Sequence, residues 1–389
     1  MKELLYLNLD FTKYQNKAKA QVKAFDKLGI RTRIVTIDND EKNYIFRIYE
    51  YNDNRFNILE EKKILDFFKV NQGENSPWVL FKRFKNTMRL YKEFKKNFLA
   101  YFNRGEYDYC YIRRIGFFII FFKHVLKELS KSCDVIYEIP TYPLDKYNSL
   151  LVNMAQSLEM FVFNHCLKKY ISLIPIMLQN DAKPDKKMVV ISNAMDYERF
   201  ADINEEKPSF DKEFRVIILA HILDWHGYDR FVESLKKYDG DIKIVVDIYS
   251  DFNEDTKKLK KLAESYNLTD VHFKGQVQLD DILSDIQKYH VAIGSLGYHR
   301  RNGKYDTSIK NKEYCAMGLP FVCSAVDIAF PEGFKYIYYV PANDESFDIN
   351  GIINWYREIN KKDYKTDMRK YASEELTYEK QYKSVFSKL

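Results

Sequence analysis

The stretch Lys310-Asn-Lys-Glu-Tyr-Cys-Ala-Met-Gly-Leu-Pro320, with its lead-in Tyr305-Asp-Thr-Ser-Ile309, decides how this chain is read. Thr307 or Ser308 caps a helix running to Met317, and Gly318 ends it. Lys310 and Glu313 are three apart, so they share one face near the helix start. A helix N-terminus offers free N–H groups and the positive end of the dipole, which suits a diphosphate. Lys310 adds a cation there, and Glu313, an acceptor-only carboxylate, can grip ribose hydroxyls. Spacing alone equally allows an ordinary capped helix with an i,i+3 ion pair.

Outward from this segment, short apolar runs alternate with amphipathic helices, the rhythm of parallel sheets with helical crossovers. In the first half, strands are expected near Glu3–Leu9, Arg31–Ile37, Tyr107–Ile112, Asp134–Glu138, Tyr170–Leu173 and Met188–Ile191. Helices are expected near Lys17–Leu28, Val79–Asn103, Ile115–Ser130 and Ser149–Cys166, and Asn43–Leu59 reads as an inserted β-hairpin. A second series starts at Phe214, with strands at Phe214–Ala220, Ile242–Ile248, Val271–Phe273, Val291–Ile293 and Phe321–Cys323. Its helices are Tyr228–Tyr238, Glu254–Tyr266, Leu279–Lys288 and Ile309–Met317. The polar, aperiodic stretch 201–212, with Pro208, is the linker candidate. The division is therefore residues 1–200, a linker at 201–212, and residues 213–375. The fold class is α/β: two Rossmann-like, doubly wound parallel-sheet domains facing across a cleft, with ligands at the C-terminal ends of strands.

Two loops join the opening segment. Ala220-His-Ile-Leu-Asp-Trp-His-Gly-Tyr-Asp-Arg230 follows a strand and turns at Gly227, a plausible phosphate cradle with His221, Trp225 and His226, or a turn with a packed tryptophan. Ser295-Leu-Gly-Tyr-His-Arg-Arg-Asn-Gly303 also follows a strand; Gly297 and Gly303 flank a basic loop from which Arg300 or Arg301 could fork onto phosphate, or simply lie exposed. In the N-terminal half, Tyr111–Arg114 and Tyr137–Pro143 follow strands, and Glu138 is as much an ion-pair partner for Arg113 as a functional carboxylate.

The run Glu313-Tyr-Cys-Ala-Met-Gly-Leu-Pro-Phe-Val322 resembles the E-x-x-A-x-G-x-P-x-V signature of GT-B glycosyltransferases, especially retaining family 4. The resemblance implies that Glu313 binds the nucleotide ribose and that the preceding turn, with Thr307 and Ser308, contacts the diphosphate. The second Glu usual in that family, separated from this one by seven residues, is Tyr305 here, and Asp306 is the nearest carboxylate. The segment around Gly227 resembles G-R-L-x-x-x-K-G-x-D, with His221 in the place of the family's Arg and His226 in the place of its Lys. Histidine can stabilise a leaving diphosphate when protonated or as a neutral donor. Ile191-Ser-Asn-Ala-Met-Asp196 resembles the I-x-N-G-V-D turn, with Ala194 for the glycine; the loop Asp10–Lys19 lacks the glycine often found there. The closing helix, 376–389, fits the family's final helix, which crosses back to the N-terminal domain.

The expectation is thus a glycosyltransferase that moves a sugar from a nucleoside diphosphate sugar, UDP favoured over GDP, to a glycan or lipid-linked acceptor. Retention follows from the resemblance. The catalytic candidates are His221, His226, Lys310 and Arg113; Trp225, Gly227, Gly297, Arg300, Arg301, Thr307, Ser308 and Glu313 hold the donor. No metal is expected, since Asp247 and Asp251 are four apart and form no D-x-D. A sugar-nucleotide epimerase of the same fold, or a degenerate GT-B accessory module, are the alternatives.

Composition bounds the rest. A net charge of +6 over 389 residues does not argue for nucleic acid. Five cysteines without a C-x-x-C pair fit reduced thiols in a cytoplasmic protein. The N-terminus reads as a strand, not a signal peptide, and the apolar run Ile115–Phe122 is too short to cross a bilayer. Phe81–Arg104 interleaves basic and aromatic residues, the pattern of a helix lying on an anionic membrane at the inner face of the cell, or of a core-facing aromatic stripe with a solvated basic face.

Overall fold

The alternation of apolar runs and helices builds two separate sheets in the computed structural model, which describes residues 1–9, 11, 15–40, 42–66, 77–145, 149–210 and 212–389. Four members of the loop expected at Asp10–Lys19, residues 10 and 12–14, lie outside the described residues.

The first unit comprises residues 1–177, 183–191 and 382–389. Its elements are β1 (Lys2–Leu7), α1 (Gln15–Lys27), β2 (Ile30–Asn39), β3 (Asn43–Asn52), β4 (Arg55–Asp66), α2 (Pro77–Phe102), β5 (Tyr109–Arg113), α3 (Lys123–Leu129), β6 (Asp134–Tyr142), α4 (Leu150–Val162), β7 (Ile174–Leu178) and β8 (Met188–Ile191). The sheet order is β4-β3-β2-β1-β5-β6-β7-β8. Leu4, Leu5, Tyr6 and Leu7 are fully buried because β1 lies inside a parallel sheet covered on both faces. The hairpin β3–β4 extends the β2 edge antiparallel and runs on to Asp66, past the expected Leu59. Asp53 and Asn54 take φ of 50° and 60°, the left-handed pair that a two-residue hairpin turn demands.

Two expectations shift here. The helix expected over Ile115–Ser130 is a 3-10 turn, Gly116–Phe121, followed by α3, and Gly116 at its start has φ +66°. The strand expected at Tyr170–Leu173 lies at Ile174–Leu178 and runs through Pro175.

The second unit comprises residues 178–182 and 192–381. Its elements are β9 (Glu213–Leu219), α5 (Tyr228–Lys237), β10 (Lys243–Tyr249), α6 (Glu254–Ser265), β11 (Val271–Phe273), β12 (Val291–Ile293), α7 (Ile309–Ala316), β13 (Phe321–Cys323), β14 (Ile337–Tyr339), α8 (Ile349–Asn360) and α9 (Tyr364–Glu375). The sheet β11-β10-β9-β12-β13-β14 is wholly parallel. The segment Leu279–Lys288 is a 3-10 helix. The stretch 201–212 is not a linker between the units: the division falls at 191/192. Arg369 Nε donates to Glu205 at 2.9 Å and Lys365 Nζ to the Glu206 carbonyl at 2.6 Å, tying the stretch into the second unit. A final helix, α10 (Tyr378–Phe386), spans the other division at 381/382; within the first unit Tyr382 packs on Phe25 with ring centroids 4.6 Å apart.

Candidate functional site

Two loops at the C-terminal edge of the second sheet are zipped together. After β9 the chain makes a 3-10 turn, Asp224–His226, and Gly227 takes φ +67° to enter α5. After β12 it runs into Gly294–Gly297, and the His226 carbonyl accepts from Leu296 N–H at 2.7 Å and Gly297 N–H at 3.2 Å. Arg230, 1% exposed, braces both from behind. Its guanidinium donates to the Glu345 and Pro341 carbonyls, each at 2.9 Å, and to the Leu296 carbonyl. One side chain thus ties carbonyls from three places in the chain together.

The start of α7 faces this junction. Ser308 occupies the N-cap position in extended conformation, but neither it nor Thr307 supplies the expected hydroxyl cap. The Asp306 carboxylate instead closes the turn before the helix, accepting Ser308 N–H at 2.9 Å and leaving the first-turn amides of α7 without a side-chain cap. The Ser308 hydroxyl, the second Asp306 oxygen and Asn311 Oδ1 are buried without a hydrogen-bond partner among the described residues. Asp306 is 3% exposed, and burial raises its pKa. The Thr307 carbonyl accepts from Asn193 Nδ2 at 2.7 Å, a link that gives the Ile191–Asp196 turn a structural reason.

Lys310 and Glu313 do not form the i,i+3 ion pair. Lys310 Nζ donates to Tyr228 Oη at 3.1 Å, and burial against α5 lowers its pKa to about 8, with Asp306 partly restoring it. Glu313 is half-buried; its carboxylate has neither a hydrogen bond nor an ion pair among the described residues. Burial raises its pKa, opposed by the nearby Arg199. A cation and an unpaired carboxylate thus stand one helical turn apart. The next lysine points elsewhere. Lys312 is fully buried and reaches Asp327 at 2.6 and 2.8 Å, and Asn311 donates to the same carboxylate at 3.0 Å. Neither Lys312 nor Tyr228 stood out in the sequence, since a lysine in a helix and a tyrosine in a chain with 31 of them carry no signal.

The two histidines differ. His226 is buried, and its Nδ1 accepts Leu223 N–H at 3.0 Å, so the proton sits on Nε2. Burial, with Lys310, His221 and Arg301 adding like charge, lowers its pKa to about 2. It is therefore neutral, and of the two forms considered, protonated or neutral donor, it takes the neutral one with Nε2–H. His221 is exposed, and its Nδ1–H donates to Asp251 at 2.8 Å.

Arg300 and Arg301 divide likewise. Arg300 is held by acids: it forks onto Asp229 at 3.0 and 2.7 Å, donates Nε to Asp344 at 2.7 Å and reaches the Asp224 carbonyl at 2.8 Å. These acids hold its pKa above the usual arginine range. Arg301 lays its guanidinium over the Trp225 ring, 4.8 Å from the centroid, and Trp225 meets Tyr298 edge to face at 5.8 Å. Tyr305, at the family's second Glu position, donates its hydroxyl to Asp181, which also takes Lys304 Nζ at 2.7 Å.

His221, Trp225, His226, Gly227, Gly297, Arg300, Arg301, Thr307, Ser308, Lys310 and Glu313 all belong to the second unit; Arg113 belongs to the first. There Arg113 Nη1 donates to the buried Glu138 at 3.0 Å, and Tyr111 Oη donates to its other oxygen at 2.7 Å. Burial alone would raise the Glu138 pKa, but Arg113 and Tyr111 outweigh it and the net shift is downward.

No family model matches the chain. It is 22% identical over 216 residues to an uncharacterised glycosyltransferase of Methanocaldococcus jannaschii, covering 53% of this chain and 54% of that protein. The chain thus spans about half the length of that relative. Among solved structures it is similar to a glycosyltransferase from Rickettsia africae, at TM-score 0.63 and 13% identity over 99% of this chain and 97% of that one. The catalytic domain of starch synthase IV from Arabidopsis thaliana, bound to ADP and acarbose, gives TM-score 0.62 at 9% identity over 100% and 99%. The pneumococcal O-GlcNAc transferase, in complex with UDP and GlcNAc, gives 0.57 at 11% over 100% and 98%. The fold is that of the GT-B glycosyltransferases.

Proposed function

We propose that the protein transfers a sugar from a nucleoside diphosphate sugar, UDP favoured and GDP second, to a glycan or lipid-linked acceptor in surface polysaccharide or glycoconjugate synthesis. The observation that carries this reading is the pair on α7: Lys310 at the helix start and the unpartnered Glu313 one turn on. The amides of the first turn, the dipole and Lys310 supply positive charge to a diphosphate. Glu313 accepts from ribose hydroxyls. His226 offers a neutral Nε2–H to the departing oxygen, and fixed donors of this kind stabilise leaving charge without reorganising. Nucleotides bound to two solved GT-B relatives support a donor of this class.

Retention of configuration rests on the family resemblance. Metal independence rests on the charge that Lys310 and the helix supply; its test is UDP affinity with and without chelator, expected to be unchanged. The first unit takes the acceptor, with Arg113 on that side, and the protein works at the inner face of the cell membrane.

Calorimetry with UDP, GDP and dTDP tests the donor site. Binding of none of them removes the reading in favour of an accessory module. Glu313→Ala should weaken UDP by roughly tenfold or more and leave pyrophosphate unchanged, because only the ribose contact is lost. Turnover of a UDP-sugar to its epimer without any acceptor would identify an epimerase instead.

A further inference from the structure

One helix of the first unit is inside out. On α4, Leu150 (74%), Leu151 (78%), Met154 (59%), Leu158 (48%) and Phe161 (59%) are exposed. Positions 150, 154, 158 and 161 recur at helical spacing and form one outward stripe. The helix's one carboxylate, Glu159, is 2% exposed and takes both Arg114 nitrogens at 2.8 and 2.7 Å. The charge holds the helix to the body while the apolar stripe faces away. Single exposed apolar residues are ordinary, but a stripe on one face marks an interaction surface.

A second apolar set lies at the start of α2, where Trp78, Phe81 and Phe84 are 63%, 63% and 54% exposed. Along α2, Lys85, Arg89, Lys92 and Lys96 are exposed as well, and Glu93 is the one acid of the helix. Lys82 Nζ stands 3.2 Å from the Trp78 ring centroid. Both helices pack on the Gly116–Phe121 turn: Tyr91 of α2 stacks on Phe118 at 4.0 Å, Lys95 Nζ donates to the Phe121 carbonyl at 3.0 Å, and α4 lies against the same turn. The two helices that carry the apolar sets therefore share one aromatic turn as their support. No helix among the described residues is long and apolar enough to cross a membrane.

We propose that this face seats the chain on an anionic lipid bilayer, the apolar side chains of α4 and of the α2 start entering the headgroup boundary and the α2 cations meeting lipid phosphates. The charge decides the occupant. Two copies of this chain meeting through the face would bring two basic helices together, whereas an anionic surface neutralises them. The inference deepens the transferase reading, on which it rests for its purpose, since such a seat would present a lipid-linked acceptor; the binding itself stands on the surface alone.

The test is co-sedimentation of the full chain with phosphatidylcholine vesicles, with and without a minority of phosphatidylglycerol, and without nucleotide. Binding that needs the anionic lipid and weakens with salt is expected. The variant Leu151→Glu/Met154→Glu/Phe161→Glu should lose about tenfold or more in partitioning while keeping its circular dichroism and its UDP affinity. Lys85→Glu/Arg89→Glu should lose the preference for anionic vesicles. Wild type that stays in the supernatant overturns the proposal, as does a triple variant that binds as well. A wild-type dimer that the triple variant converts to monomer, with no vesicle binding by either, assigns the face to a second copy. Failure of UDP to bind would remove the donor reading and leave the vesicle result standing.

Discussion

Gly227 and Gly297 stand back to back: a Cβ built on Gly227 would come 2.5 Å from the Gly297 nitrogen, and one on Gly297 would come 2.9 Å from the Gly227 Cα. Both obstacles are backbone, which cannot rotate aside. The two loops are therefore as close as main chains can come, in a protein with only 13 glycines.

Gly227→Ala should destabilise the fold by roughly 3 kcal/mol or more, combining the clash with the positive φ. Gly333→Ala is the control: φ is +74° but nothing lies within 4 Å, so only the left-handed strain of about 1–2 kcal/mol applies. Thermal unfolding of both variants measures the difference.

Lys310 should make donor binding depend on pH. With its pKa at about 8, the cation is lost above that value, and UDP affinity should fall by up to about tenfold per unit until the pKa of the bound form is passed. Lys310→Arg should flatten the slope, and Lys310→Met should abolish it with an affinity loss of about ten- to a hundredfold at neutral pH. Calorimetry from pH 7 upward reads all three. The sign for stability is opposite: between the folded value near 8 and the ordinary lysine value of 10.5 the unfolded chain holds more protons, so this group's contribution to stability rises with pH across that window.

His226 should weaken the fold in acid. Its folded pKa of about 2 lies below the ordinary 6.5, so the unfolded chain takes up a proton that the folded one refuses. Its contribution is intact above 6.5 and falls as pH drops through the window toward 2, by up to about 1.4 kcal/mol per unit. Denaturant titrations at about pH 7 and about pH 5 should show a steeper loss for wild type than for His226→Gln.

Arg300 and Arg301 should separate structure from binding. Arg300→Ala removes a fork onto Asp229 and should cost about 1–2 kcal/mol of stability, a figure discounted for the partial exposure of that acid. Donor affinity measured well below the melting temperature should change by less than about tenfold. Arg301→Ala should leave stability within about 0.5 kcal/mol and weaken UDP.

The sequence carried the two-sheet plan because apolar runs and turns are local signals. Glu313, Gly318 and Pro320 announced α7 for the same reason, and Gly227 and Gly297 marked a close approach that only the fold reveals as mutual. What escaped was decided by partners distant in the chain. Arg300 looked like a phosphate fork because nothing nearby in sequence tells that Asp229 and Asp344 occupy it. His226 looked chargeable because burial is a property of the packed loop. The stretch 201–212 looked like a linker because its partners, Lys365 and Arg369, come more than a hundred residues later. The α4 stripe escaped because periodicity gives an apolar face without saying which way it points.

The buried Lys312–Asp327 pair sets the rotational phase of α7. Each residue turns an α-helix by about 100°, so side chains two apart point nearly opposite ways. Lys312 is locked inward onto Asp327, and Lys310 on its other side is thereby aimed at Tyr228 at the start of α5. One residue inserted between 310 and 312 would swing Lys310 off its bearing even though every residue type remained in the chain. The helix works as an indexed spindle, and the pair that never meets the ligand is the pin that indexes it.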